Sequence, residues 1–229
     1  MPPSTTPSKP VNPLPVAVLA LAVVIFGIEV LFTLAESGVL GGPGGIGLRT
    51  RAVENYAFFG QALDWMLVNR QAPPDLMIRF VTYPLLHLSF THALFVCVFV
   101  LAMGKMVGEA LGNFAVLAIF FAAGIGGALV YGLALDDTLP LVGGYPGVYG
   151  LIGGYTFLMW VQARFLKQSQ LTAFRLIGLL LGIQLLFGLL FGGQKDWVAD
   201  VAGFITGFGL SFLLVPGGWA RLREVLRRR

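Results

Sequence analysis

The chain has 229 residues, 57% of them hydrophobic and 11% charged, with a mean hydropathy of +0.84. A soluble domain carries about 25% charged residues, so the composition excludes an ordinary water-soluble enzyme and points to an all-α polytopic membrane protein. The net charge of +4 is not a nucleic-acid footprint, because Arg221, Arg223, Arg227, Arg228 and Arg229 crowd the end of the chain, just past an apolar run, where anionic lipid would hold them.

Residues 1–15 are rich in Pro, Ser and Thr and read as a flexible tail. An apolar run over about 16–35 is long enough to cross a bilayer, and no small-x-small cleavage site follows it. It reads as a retained first helix. Glu29 lies in its outer half and is expected to reach the headgroups or bond a neighbouring helix. The sharper alternative is a buried functional carboxylate. Residues 36–81 form a long non-spanning segment with a glycine-rich start. Within it, 57–68 carries an apolar stripe and Trp65, the pattern of a helix lying in the headgroup region. Further spans are expected over about 82–103, 114–134, 146–160, 171–191 and 198–215. Residues 216–229 form a basic tail.

Six spans put both termini on one side. Under that arrangement the terminal side holds ten of the fifteen Lys and Arg residues, and the long first loop holds four of the other five. Long segments count less in setting orientation, so the termini are expected to be cytoplasmic. Cys97 is alone in an apolar run, which leaves no disulfide framework and no cysteine metal site. The two histidines, His87 and His92, are five residues apart. On one helix they would face different directions, so no metal site is expected, and no cofactor.

The densest motif is 143–154, GGYPGVYGLIGG, in which six of twelve residues are glycine. It follows an acidic loop (Asp136, Asp137) and opens an apolar run. Proline suits a first helical turn, and small residues at four-residue spacing let helix backbones approach in lipid. A helix start packed tightly at the membrane surface follows.

This stretch resembles the active-site segment of the rhomboid intramembrane serine proteases. Their pattern is glycine, a small residue, the catalytic serine and glycine, followed by G-x-x-G. Without a gap the serine position falls on Tyr145; a shift of one, which keeps the second glycine at Gly147, puts it on Pro146. The resemblance extends over about residues 75–215. His87 and His92 keep the family's histidine spacing, with Val96 at the asparagine position that follows. Gly104, Glu109 and Gly112 resemble its glycine–glutamate–glycine turn. Ile78-Arg79 stands at its Trp-Arg pair. In the last span Ala199, Gly203 and Gly207 match, and Asp200 occupies the place of the catalytic histidine.

The resemblance implies a six-helix rhomboid-like bundle with a membrane-embedded first loop, but with neither serine nor histidine of the dyad. A hydroxyl attacks an amide only when a base takes its proton, and the oxyanion needs preorganised donors. The expectation is a non-catalytic member whose partners are the bilayer and transmembrane segments of client proteins. His87, His92, Tyr145, Asp200, Gly147 and Gly203 would form its vestigial or client site. Asp200 is expected to bond Tyr145 or His92 as a polar latch, with client binding as its alternative role. Ser89 is expected to bond the carbonyl four residues back. Two other readings are an intramembrane serine-type endopeptidase with altered residues, and a small transporter using Asp200, Glu29 and the histidines; no internal repeat supports the latter. Oligomeric state is left open. The lean layout suggests a bacterial inner membrane.

Overall fold

The computed structural model describes residues 13–135, 137–191 and 195–218, without the side chains at 185, 187–189 and 191. The expected terminal tails (1–12 and 219–229), Asp136 and 192–194 lie outside the described residues. Ten α-helices are described: α1 Val16–Glu36, α2 Leu48–Tyr56, α3 Gly60–Asn69, α4 Pro74–Met77, α5 Arg79–Thr82, α6 Phe90–Leu111, α7 Asn113–Ala134, α8 Tyr145–Phe165, α9 Arg175–Phe191 and α10 Trp197–Leu214. Among the described residues the only β feature is one isolated antiparallel bridge, Phe58 to Leu141. Helices α1, α6, α7 and α10 are long and apolar enough to cross a membrane. The chain is an integral membrane protein.

The centre of the fold is a parallel contact between α8 and α10. Pro146 lies against Gly203, Gly150 against Gly207 and Gly154 against Ser211, a step of four on each helix. A Cβ on Gly203 would strike the Pro146 carbonyl, and one on Gly207 would strike the Gly150 backbone. Only hydrogen fits between these chains, and the gain is dense van der Waals packing, which replaces the hydrophobic effect between helices in lipid. Helix α7 closes the third side: Gly127 faces the Ala199 carbonyl and Pro146 at 2.8–2.9 Å from an ideal Cβ position.

Helix α1 packs on α6 through the same device, with Val18 against Gly104 and Pro15 against Gly108. Asn113, which opens α7, accepts from the Ala17 N–H at 3.1 Å and so satisfies one of the free donors at the start of α1. Helix α9 stands at the edge. Its Gly178 and Gly182 face open space, and Leu179, Ile183, Leu186 and Leu190 are exposed.

Several boundaries move from their expected places. The run expected to span over 82–103 is helical only from Phe90. Pro84 sits in a short 3-10 turn, Tyr83–Leu85, and Leu86 is extended. Ser89 then caps α6 by accepting from the His92 N–H at 3.2 Å. That corrects its expected bond to a carbonyl one turn back: a serine at the first position accepts an orphan N–H. The helix runs on to Leu111, so Gly104 and Glu109 lie within it, and the turn is made at Gly112, whose positive φ of +88 glycine adopts without strain. The first loop holds α3 near its expected place, and also α2.

Gly207→Ala is expected to lower the detergent-solubilised melting temperature, with a loss of about 1–3 kcal/mol, because backbone cannot yield to the new methyl. Gly182→Ala serves as the control: it should be neutral or stabilising by up to about 1 kcal/mol.

Candidate functional site

The N-terminal ends of α6, α8 and α10 meet where the 83–89 segment crosses. Leu86–Ser89 is not helical, so His87 and His92 are not on one helix. Their rings meet edge to face at 4.9 Å, against the expectation that they point apart. His92 lies in the first turn of α6 and stacks flat on Tyr145, with centroids 5.0 Å apart and planes 19° apart. His87 is buried and accepts from the Gly144 N–H through Nε2 at 3.3 Å. The Gly143 N–H donates to the Tyr83 carbonyl at 3.1 Å.

Local sequence explains this joint. Gly143 has φ +111, and a Cβ there would lie 2.6 Å from His92 Nε2. A Cβ on Gly144 would press on Val96 at 2.8 Å and on the Pro84 carbonyl at 3.0 Å. Two glycines therefore let the chain pass between the histidines and Val96, and Tyr145 then starts α8 with Pro146 behind it. Val96 is fully buried, a packing surface where the family pattern has an asparagine.

A cavity of about 360 Å³ opens over this joint. His92, Tyr145, Ser89, Tyr131, Leu141 and Asp196 are among its walls. A second, of about 320 Å³, lies on the other side of Tyr145 and reaches Tyr149, Gln184 and Asp200. Tyr145 and Asp196 border both. Gly147 and Gly203 border neither. Gly147 lies against the Phe120 ring and Gly203 against the Pro146 carbonyl, so both serve packing.

Asp200 is buried, 3% exposed. Its partner is neither Tyr145 nor His92. Gln184 of α9 donates to Asp200 Oδ2 at 2.9 Å, and the Tyr149 hydroxyl donates to Gln184 Oε1 at 3.0 Å. The latch expected between α8 and α10 is thus a three-part chain that recruits α9. The stretch that carries Tyr145 also carries Tyr149 one turn on, but Gln184 was missed. A lone amide in an apolar run was the signal that could have found it.

Glu29 does not reach headgroups. It is 1% exposed and holds Arg49 of α2 with two hydrogen bonds, 2.8 and 2.9 Å. Arg49 also donates to the His87 carbonyl at 2.6 Å and to Glu36 at 2.8 Å. One guanidinium therefore ties the first loop, α1 and the histidine segment together. The two carboxylates raise the Arg49 pKa further above its ordinary value, Glu29 most, against the opposing effect of burial. Arg79 secures the other end of the loop by donating to the Glu54 and Ala57 carbonyls at 2.9 and 3.0 Å.

At this site no hydroxyl donates to a histidine or carboxylate among the described residues. Ring nitrogen lone pairs lie in the ring plane, so a histidine stacked flat on Tyr145 presents its π face to the phenol. The Asp200 carboxylate accepts from an amide. The Gly144 N–H is taken by His87. Burial, with the His92 ring next and Arg49 behind it, pushes the His87 pKa down from 6.5 to about 3, although the Leu85 carbonyl acts the other way. His87 is a neutral acceptor, as its bond from Gly144 requires. No group of three or more His, Cys, Asp or Glu side chains that could hold a metal occurs among the described residues.

Arg49→Met leaves the Glu29 charge buried without its partner and is expected to cost about 3–5 kcal/mol of stability. Adding Glu29→Gln should recover most of that loss, read as coupling in a melting cycle. The His87 contribution to stability is fully present above pH 6.5, because only the unfolded chain takes up the proton below that value. It is lost as pH falls from 6.5 toward 3. Melting of the wild type should therefore drop more steeply between pH 7 and 4 than melting of His87→Gln.

Comparison with curated proteins gave no match. The rhomboid domain matches residues 74–217, more than half of the chain and the whole of the region from α4 to the end of α10. The match covers both histidines, the glycine-rich start of α8 and the α8–α10 contact. The chain belongs to the rhomboid family.

Proposed function

We propose that this protein is a non-catalytic rhomboid-like protein that binds transmembrane segments of client proteins. One observation carries the reading: where the family has a serine and a histidine, this chain has Tyr145 (or Pro146) and Asp200, and Asp200 is committed to Gln184. Proton abstraction from a hydroxyl needs a base within about 2.6–3.2 Å, and neither His92 nor Asp200 has such a bond to Tyr145. Oxyanion stabilisation is depleted as well, with Val96 in place of the asparagine and the Gly144 N–H engaged.

In this reading α8 and α9 also cross the bilayer, giving six spans, and the 36–81 segment lies in the outer headgroup region with α2 and α3. The Lys and Arg distribution favours cytoplasmic termini. A client helix would enter beside α9, where Leu179, Ile183, Leu186 and Leu190 are exposed and Gly178 and Gly182 meet nothing. It would reach the cavity at Tyr145, Gln184 and Asp200. His92, Tyr145 and Asp200 remain as contacts, no longer as chemistry.

The test is cleavage and binding of a fluorogenic transmembrane peptide by purified protein, beside Tyr145→Phe and Asp200→Asn. The expected result is binding by the wild type with no turnover by any of the three. Turnover by the wild type that one substitution abolishes would overturn the proposal and establish a different catalytic arrangement.

A further inference from the structure

At the ends of α8 and α10 opposite Tyr145, a cleft of about 740 Å³ opens between the helices. Its wall is aromatic: Phe212 lies 4.7 Å from Phe157 and 5.9 Å from Trp160, centroid to centroid. Arg164 and Lys167 border it. Among the described residues no carboxylate lines it, and neither cation is in an ion pair. The cleft therefore has an oily wall, two cations at its rim, and a place about 20 residues along α8 from Tyr145, roughly one bilayer core away.

The position of Lys167 is a second observation. Its φ is +53, in the left-handed region that costs a non-glycine residue about 1 kcal/mol or more. The turn is a helix-closing motif, in which the Lys167 N–H donates to the Arg164 carbonyl at 3.3 Å and the Gln168 N–H to the Ala163 carbonyl at 2.9 Å. Glycine is the usual residue there. A lysine in its place adds backbone strain and puts an ammonium group at the cleft beside Arg164.

We propose that this cleft is a binding site for an anionic phospholipid, with acyl chains against Phe157, Trp160 and Phe212 and the phosphate between Arg164 and Lys167. The chain's own end is the rival occupant, since Gly218 borders the cleft. Charge decides against it: residues 219–229 carry five arginines and one glutamate, the same sign as the rim. A phosphodiester is complementary to both.

Native mass spectrometry of the full-length protein, with phosphatidylglycerol or phosphatidylcholine added to the detergent, tests this. Two cations near one phosphate should give the wild type a preference of about thirtyfold for the anionic lipid. Arg164→Gln with Lys167→Gln should bring the two lipids close to parity. Lys167→Gly should lower the preference by roughly fivefold while leaving the melting temperature in uncharged detergent unchanged or higher, which a merely structural lysine would not do. Equal retention of both lipids by the wild type would overturn the proposal. So would a preference that survives the double substitution but disappears when the five tail arginines become glutamine.

Discussion

The fold depends on how closely two backbones approach. Along α8 and α10, Pro146, Gly150 and Gly154 meet Gly203, Gly207 and Ser211 in register. In lipid the apolar side chains of two helices gain little from finding each other, because the surrounding chains are equally oily. Shape must then supply what water supplies elsewhere. The glycine faces do so, and they fix the height of α8 relative to α10. That height puts Tyr145, Asp200 and the histidines in one neighbourhood.

A second constraint works from outside the bundle. Glu29 lies within an apolar helix, and a carboxylate there needs a partner. Arg49 provides it from the first loop, and the same guanidinium reaches the carbonyl of His87. His87 in turn accepts from Gly144 at the start of α8. A charge on α1 is thus linked through three hydrogen-bonded groups to the glycine before Tyr145. The joint before Tyr145 is held by packing from beneath and by this chain of polar contacts from the side.

Some of this was legible in the sequence. The apolar runs gave α1, α7 and α10 within about a residue, because a uniform run between polar breaks has few other solutions in a membrane. The glycine spacings of 146–154 and 203–207 announced the central contact. What failed was local where it concerned α6 and tertiary elsewhere. Pro84 and the Ser89 cap break the run at 82–89, and reading through them put both histidines on one helix. Helix α2 was hidden by its low apolar content and glycine-rich approach. The pairing of Arg49 with Glu29, and of Gln184 with Asp200, joins residues distant in sequence; periodicity carries no information about such pairs. The substitutions at Tyr145, Val96 and Asp200 were visible as letters, but the engagement of Asp200 by Gln184 and of Gly144 by His87 required coordinates.

The Tyr149–Gln184–Asp200 chain gives α9 an attachment unlike that of its neighbours. Helices α8 and α10 meet each other by dispersion spread over many atoms, whereas the chain that crosses from α8 through α9 to α10 is two hydrogen bonds in series. In hydrocarbon, water is not at hand to replace a broken bond. A purely oily helix that pried α9 away would strand the amide and the carboxyl. A helix bearing its own hydroxyl or amide could take over one of those bonds as it arrived, so the parting would become an exchange of partners. On the proposed reading such a doorway would admit clients by what they can offer in return, and an apolar segment passing along the bilayer would find it shut.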